Sequence, residues 1–212
     1  MPKLVFKSAS GWPLLGLLVA LLLAAAGLAY GLAGGDTAGL RAVIRLTART
    51  SLVLFLAAFA ASALLRLAPA APTRWLRRNR RQLGLGFAVS HLIHLVAIVQ
   101  LAGRDPVLFW QLTTPSSVVS GGLAYLFIAA MAATSFDRSA AWLGPRAWRA
   151  LHWTGGYFLA ISFVVSNGKR IPVSAWYGLP VALVALAVAL RLAAGLRRRE
   201  PVAPSLELRR EP

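Results

Sequence analysis

Three histidines are the side chains of this sequence best suited to chemistry in an apolar environment. His91 and His94 lie three residues apart, and His152 follows in a later apolar segment. Side chains at positions i and i+3 share one face of a helix, so His91 and His94 point the same way. Imidazoles from two helices that face each other across a bundle are a common way to hold heme iron. The three histidines therefore predict a heme site between two helices.

Two glycines next to these histidines admit two interpretations. Gly155 and Gly156 lie one turn after His152 and leave that face without side chains, which is space that a flat macrocycle would need. Small residues also let membrane helices pack closely, and a membrane histidine can serve only as a hydrogen-bonding residue between helices. The alternative to a heme protein is therefore a non-redox transporter or scaffold subunit whose histidines are structural.

Other chemistry has little support in the residue types. The chain has no cysteine, which excludes disulfides, thiolate catalysis and iron–sulfur clusters. Zinc sites usually take three or four ligands, often with a carboxylate nearby, and are less well matched. The carboxylates are all expected in loops or in the C-terminal tail, and an ion-coupled transporter usually has carboxylates within its membrane segments, so that function is less well supported. They are Asp36, Asp105, Asp137, Glu200, Glu207 and Glu211.

The composition places these residues in a membrane. Hydrophobic residues make up 58% of the 212 residues, charged residues only 14%, and the mean hydropathy is +0.67. A net charge of +17 could suggest nucleic-acid binding, but the arginines cluster between apolar segments, which is typical of a membrane protein. We therefore expect contact with membrane lipid and no nucleic-acid partner. Six segments are long enough to span a bilayer, approximately 12–33, 47–66, 83–102, 117–135, 148–167 and 176–195.

The basic residues predict the orientation of these segments. Arginines and lysines are most frequent in cytoplasmic loops, which places the segments before 12, between 66 and 83, between 135 and 148, and after 195 inside the cell. Both termini are then cytoplasmic, and a loop with Arg41, Arg45 and Arg49 lies outside. We expect an all-α, six-transmembrane-helix bundle over 1–196, a polar tail over 197–212, and a multi-pass location in a bacterial inner membrane. The first segment is not expected to be a cleaved signal peptide, and 31–35 is expected to form a turn.

Two stretches of sequence resemble a known family. One runs Arg80-Arg81-Gln82-Leu83-Gly84-Leu85 through an apolar run to His94; the other contains Thr134-Ser135, Leu143-Gly144 and Trp148-Arg149-Ala150-Leu151-His152. Together they resemble helices three and five of the ferric reductase-like transmembrane domain, over roughly residues 40–195. The greatest likeness is to short bacterial members, the heme-binding membrane subunits of periplasmic methionine-sulfoxide reductase systems (the MsrQ group). The resemblance implies a b-type heme that moves electrons, with His94 and His152 as ligands.

The chain also departs from the family pattern. The family often has a second helix-five histidine at the position of Val165, so a two-heme arrangement with four histidines is impossible, and we expect one bis-histidine heme b per chain. The depth of the ligands is a further difficulty. At 1.5 Å per residue, His94 lies about 20 Å beyond Arg81, whereas His152 lies only about 5 Å beyond Arg149. Either Arg149 itself enters the bundle, or the helices are offset, or His91 is the partner of His152. Resemblance favours His94 as that partner, and depth favours His91.

The function expected from these features is a membrane electron conduit. No dinucleotide-binding motif is present, so electrons would come from a quinol or a cytosolic reductase and pass to a periplasmic acceptor or partner reductase. The chain would be the electron-transfer subunit of an oxidoreductase system, with a bound quinone possible; a third option is a self-sufficient reductase of a small external acceptor. Arg78, Arg81 and Arg149 are candidates for pairing with heme propionates, and the outer loop Gly103–Ser116 is a candidate docking surface.

Overall fold

The computed structural model describes residues 10–197, and all the regular elements in this range are helices. In chain order they are α1 (Trp12–Leu32), α2 (Thr37–Leu67), α3 (Ala71–Arg78), α4 (Arg80–Arg104), α5 (Pro106–Leu112), α6 (Pro115–Ala133), α7 (Asp137–Leu143), α8 (Pro145–Gly168), a 3-10 turn (Ala175–Tyr177) and α9 (Gly178–Leu196). The six long helices coincide with the six predicted segments. Beyond Arg197, the predicted polar tail lies outside the described residues.

Five stretches of this part of the chain are long and apolar enough to cross a membrane. They are α1, α2, α4, α6 and the stretch Ala175–Leu196, which joins the 3-10 turn to α9. The helix α8 has 24 residues and is long enough, but Arg146, Arg149 and His152 make its first half polar. The protein is thus a multi-pass, all-helical membrane protein, and in the described part of the chain five of the six predicted spans are long and apolar enough to cross a membrane.

The helix α2 corrects one predicted loop. Arg41, Arg45 and Arg49 were expected outside the second span, but they lie within α2, which begins ten residues earlier than predicted. Their spacing of four residues places them on one exposed face, while Leu40 and Val43 are buried on the other. This amphipathic pattern is that of a helix, although the three arginines had led to the prediction of a loop. The predicted turn after α1 is present and is formed by Gly34 and Gly35, whose φ angles are 90° and 72°.

The packing of α2 fixes the relative directions of the helices around it. Phe55 stacks on Phe59, and its ring lies 5.6 Å from Phe87 of α4 and 5.3 Å from Phe163 of α8. Phe59 in turn contacts Tyr157 of α8 at 5.5 Å. Residue numbers fall along α2 as they rise along α8, so the two helices are antiparallel.

A buried hydroxyl cluster sets the same direction for α4. Ser51 donates to Ser90 at 2.8 Å, and the hydroxyls of Thr50 and Ser90 lie 2.9 Å apart. Both Ser51 and Ser90 are fully buried. Because α2 is antiparallel to α4 and to α8, the helices α4 and α8 run in the same direction. This register determines at which depth each histidine lies.

Candidate functional site

The side chain of His94 is held by α2. Its Nδ1 atom lies 2.9 Å from the hydroxyl of Thr47, a residue that is only 1% exposed. The same hydroxyl donates to the carbonyl of Val43 at 2.7 Å. A threonine hydroxyl has one proton, so while it donates to Val43 it can only accept from the imidazole.

This arrangement assigns the tautomer of His94. Nδ1 carries the proton and donates to Thr47, which leaves the lone pair of Nε2 free. Histidine ligands of metals usually have this pattern, with one ring nitrogen bonded to a protein acceptor and the other presented to the metal. His94 is therefore oriented as a ligand before any metal is considered.

His91 lies beside His94, as the spacing predicted. The two rings are 5.6 Å apart between centroids. Three aromatic rings surround the ring of His91, with centroid distances of 4.7 Å for Phe87, 5.7 Å for Tyr125 and 5.9 Å for Phe163. The Nδ1 atom of His91 and the hydroxyl of Tyr125 are buried and have no hydrogen-bond partner among the described residues. Burying unpaired polar atoms among apolar side chains costs free energy. Such atoms are typical of a site that binds a polar ligand.

His152 has a different environment. Its Nε2 atom lies 3.1 Å from the hydroxyl of Thr134, and that hydroxyl donates to the carbonyl of Ala130 at 2.7 Å. By the same proton count, Nε2 carries the proton and Nδ1 keeps the lone pair. The ring stacks on Trp148 with centroids 4.2 Å apart, and Trp148 in turn donates to the carbonyl of Thr134 at 2.9 Å.

The structure does not bring His152 together with His91 or His94. Phe163 of α8 contacts the ring of His91, and Phe163 comes eleven residues after His152 in the same helix. At 1.5 Å per residue, His152 lies about 16 Å from the depth of His91 along the bundle. Since α4 runs parallel to α8, His94 is farther away still. The predicted pairing of one iron with His152 and a helix-three histidine is not formed.

Val165 of α8 lies at nearly the same depth in the bundle as His94 of α4. It follows Phe163 by two residues, which is about the depth that His94 reaches one turn beyond His91. The sequence analysis expected a second histidine at this position from the family pattern, and here the residue is a half-exposed valine. The depth of Phe163 therefore has two imidazoles from α4, and the depth of His152 has one from α8.

The two glycines of α8 serve helix packing, so the space predicted for a macrocycle is filled. A Cβ atom on Gly155 would come within 2.9 Å of the sulfur of Met131 and 3.1 Å of Phe127. A Cβ atom on Gly156 would meet Phe59 at 3.3 Å. The absence of side chains at these positions lets α8 approach α6 and α2 closely.

The three predicted propionate partners lie in three different helices, α3, α4 and α8. Arg78 and Arg149 are exposed. Arg81 forms a salt bridge with Asp137, and that hydrogen bond holds the pKa of the Asp137 carboxyl below its usual range. Arg81 is thus already paired within the chain.

The sequence analysis missed four residues around these groups. Thr47, within α2, and Thr134, which caps the C-terminal end of α6, hydrogen-bond to the histidines. Arg80 and Arg191 are half-buried arginines, of which Arg80 was noted only as part of the family resemblance and Arg191 was not considered. The position of Arg191, inside the last apolar segment and not after it, was the available signal. Within residues 10–197, no group of three or more histidine, cysteine or acidic side chains is placed to hold a bare metal ion.

Comparison with known proteins identifies the family. No curated protein and no solved structure matches the chain. The family model described as "Ferric reductase like transmembrane component" matches residues 46–163, which is more than half of the chain. This range includes all three histidines and the helices α4, α6 and α7. The chain belongs to the ferric reductase-like transmembrane component family.

Proposed function

We propose that this protein is a b-type heme protein that carries electrons across a membrane. Family membership supports a redox role in the membrane. The observation that carries the heme assignment is the bond between Thr47 and His94, which leaves Nε2 of His94 as a free ligand atom. When bound, heme iron supplies a one-electron couple between its ferric and ferrous states.

The residues fit heme ligation at each of two depths, but not one heme shared between them. Metal–imidazole bonds are about 2 Å long, so two nitrogens on one iron are roughly 4 Å apart. His152 and His91 are separated by about 16 Å along the bundle. In our proposal, His94 provides the ligand at the outer depth, beside His91, and His152 provides the ligand at the inner depth. This replaces the single bis-histidine heme expected from the sequence.

The chain's own residues set the conditions at the outer depth. Thr47 keeps the proton on Nδ1 of His94, which strengthens Nε2 as a donor. Phe87 and Phe163 give His91 and its surroundings an apolar wall. An apolar environment with few charges is one of the factors that set a heme potential.

The proposed topology has six spans, and α8 is the one of the six that is not long and apolar enough to be identified as a span by composition. The first half of α8 then lies near the cytoplasmic surface, where Arg146 and Arg149 meet lipid headgroups and water. Both termini are cytoplasmic, and the membrane is a bacterial inner membrane. A helix with a polar first half is acceptable there because arginine side chains extend to the interface.

The proposed electron path runs from the cytoplasmic side to the outside. Electrons come from a quinol or a cytosolic reductase, because the described chain has no domain for a flavin or nicotinamide. The acceptor is a periplasmic protein, such as a methionine-sulfoxide reductase. The short helix α5 is the proposed docking surface, since Trp110 is 53% exposed and packs against Phe109.

One observation favours the non-redox alternative. His152 is satisfied without any ligand, because Thr134 accepts its Nε2 proton and Trp148 covers its ring. A scaffold protein would need no more than this. The alternative gives no account of His91, whose Nδ1 is buried and unpaired among the described residues.

The test is the visible absorption spectrum of the protein purified from heme-replete cells. The proposal predicts the α and β bands of a reduced b-type heme. A colourless protein that is folded by circular dichroism would favour the scaffold alternative. A Ser120→Ala variant is the matched control, because Ser120 is exposed on α6 and contacts no histidine.

A further inference from the structure

Arg191 occupies an unusual place for a charged residue. It lies five residues before the end of the apolar helix α9. Its guanidinium donates to the carbonyl of Phe59 at 2.8 Å and lies 4.2 Å from the centroid of the Phe59 ring. The centroid of the Tyr157 ring is 5.3 Å away. The side chain therefore points into the bundle, toward the C-terminal third of α2.

Arg80 reaches the same part of α2 from α4. Its Nε atom donates to the carbonyl of Ala58 at 3.1 Å, the residue directly before Phe59. Since Arg80 and Arg191 donate to the carbonyls of adjacent residues, Ala58 and Phe59, their two positive charges lie close together and repel each other. The terminal nitrogens of Arg80 donate no hydrogen bond to any residue in the described range. Two guanidinium groups from different helices thus donate to adjacent carbonyls of α2, and the terminal nitrogens of Arg80 remain available to bind a ligand.

No carboxylate in the described part of the chain balances these charges. Asp36 and Asp105 lie at the other end of the bundle, where they precede α2 and α5. Asp137 is the remaining described carboxylate, and it is paired with Arg81. Arginine does not lose its proton in proteins, so the repulsion cannot be relieved by deprotonation. Unbalanced charge in a poorly solvated region is costly, and an anion from outside the described chain would remove that cost.

We propose that Arg80 and Arg191 form a binding site for an oxyanion at the cytoplasmic end of the bundle. The guanidinium fork binds carboxylate and phosphate oxygens with two parallel hydrogen bonds. Two groups could supply this oxyanion: the phosphate of an anionic phospholipid from the inner leaflet, or a propionate of the inner-depth heme. The second source rests on the proposed function, and the first does not.

The first arm of the test measures lipid binding by native mass spectrometry of the full chain. Detergent-solubilised protein is titrated with phosphatidylglycerol and, separately, with uncharged phosphatidylcholine. Loss of one charge-assisted hydrogen-bonding group should weaken phosphatidylglycerol binding about tenfold in Arg191→Gln and in Arg80→Gln. Arg41→Gln is the matched control, since Arg41 is an exposed arginine near the start of α2, at the opposite end of the bundle. Arg191→Lys keeps the charge and should retain much of the binding if the variant folds.

The second arm measures heme retention in detergent free of anionic lipid. If a propionate is the oxyanion, Arg191→Gln loses heme faster than Arg41→Gln while lipid binding is unchanged. A change in either arm supports the site and identifies the source. If folded Arg191→Gln and Arg80→Gln match Arg41→Gln in both arms, the proposal is overturned. A colourless wild-type protein that still selects phosphatidylglycerol through Arg191 would contradict the proposed function and leave the oxyanion site standing.

Discussion

The hydroxyl of Thr47 forms two hydrogen bonds, one to the carbonyl of Val43 at 2.7 Å and one with Nδ1 of His94 at 2.9 Å. Because its one proton goes to Val43, it fixes the proton of the imidazole on Nδ1. The residue lies on α2 and the histidine on α4, so the contact between these helices also sets the chemical state of His94. A buried threonine thereby controls which nitrogen is available to a metal.

The first prediction concerns this bond. Thr47→Val has almost the same shape but removes the acceptor, which leaves the Nδ1 proton of His94 buried and unpaired. The variant should lose about 1–3 kcal/mol of unfolding free energy and should bind heme more weakly. Thr47→Ser keeps the hydroxyl and should behave like the wild type. Nitrogen-15 NMR of histidine-labelled protein checks the tautomer directly: wild-type His94 should be protonated on Nδ1, and a dominant Nε2-protonated form would contradict the assignment.

The second prediction concerns the packing of α8. Gly155→Val places new atoms against Met131 and Phe127, where even a Cβ atom would be as close as 2.9 Å. The variant should be destabilised by about 1–3 kcal/mol because the helices must separate. Gly121→Val is the control, since a Cβ atom there meets nothing within 4 Å. Equal melting temperatures of the two variants would mean that Gly155 is not a packing position.

The third prediction is a pH dependence. Arg81 lowers the pKa of the Asp137 carboxyl, so the salt bridge adds stability above the ordinary aspartate pKa and loses it as the pH falls through the lowered value. The pair is exposed, and the gain at neutral pH should be small and weakened by salt. Thermal unfolding of the wild type and Asp137→Asn should differ slightly at pH 7 and coincide in acid. A difference that grows in acid would have the wrong sign.

The fourth prediction is the topology. Reporter fusions at Asn79, Asp137 and the C-terminus should indicate the cytoplasm, and fusions at Asp105 and Gly168 should indicate the outside. The fusion at Gly168 is the most informative, because it follows α8, the helix that is less apolar than the other long helices. A cytoplasmic signal at Gly168 would show that α8 does not cross the membrane.

The helices themselves could be predicted from the sequence because segments that contact lipid are long and largely apolar. All six predicted segments are helical, and the neighbouring positions of His91 and His94 followed from their spacing. The start of α2 was wrong because Arg41, Arg45 and Arg49 suggested a loop. Their four-residue spacing fits an exposed helical face, and the buried residues between them give the same period.

The relation between the histidines could be predicted only in part, because the spacings from Arg81 and Arg149 indicated a difference in depth between His94 and His152 but left His91 as a possible partner. The depth of His152 relative to His91 depends on how α8 is placed along α2, and the contacts of Phe55 with Phe163 and Phe59 with Tyr157 set that placement. Sequence spacing within one helix contains no information about the register between helices. The roles of Thr47 and Thr134 depend on the same register, since each hydroxyl must meet an imidazole from another helix.

The central claim is that His94 and His152 serve iron at two different depths, about 16 Å or more apart along the bundle. The most direct test is the amount of heme bound per chain in wild-type protein, His94→Ala and His152→Ala, measured by the pyridine hemochromogen method with Ser120→Ala as control. Each histidine variant should lose part of the heme and retain the rest, and the double variant should lose it all. Complete loss of heme in both single variants would contradict the account, because it would mean that the two imidazoles share one iron.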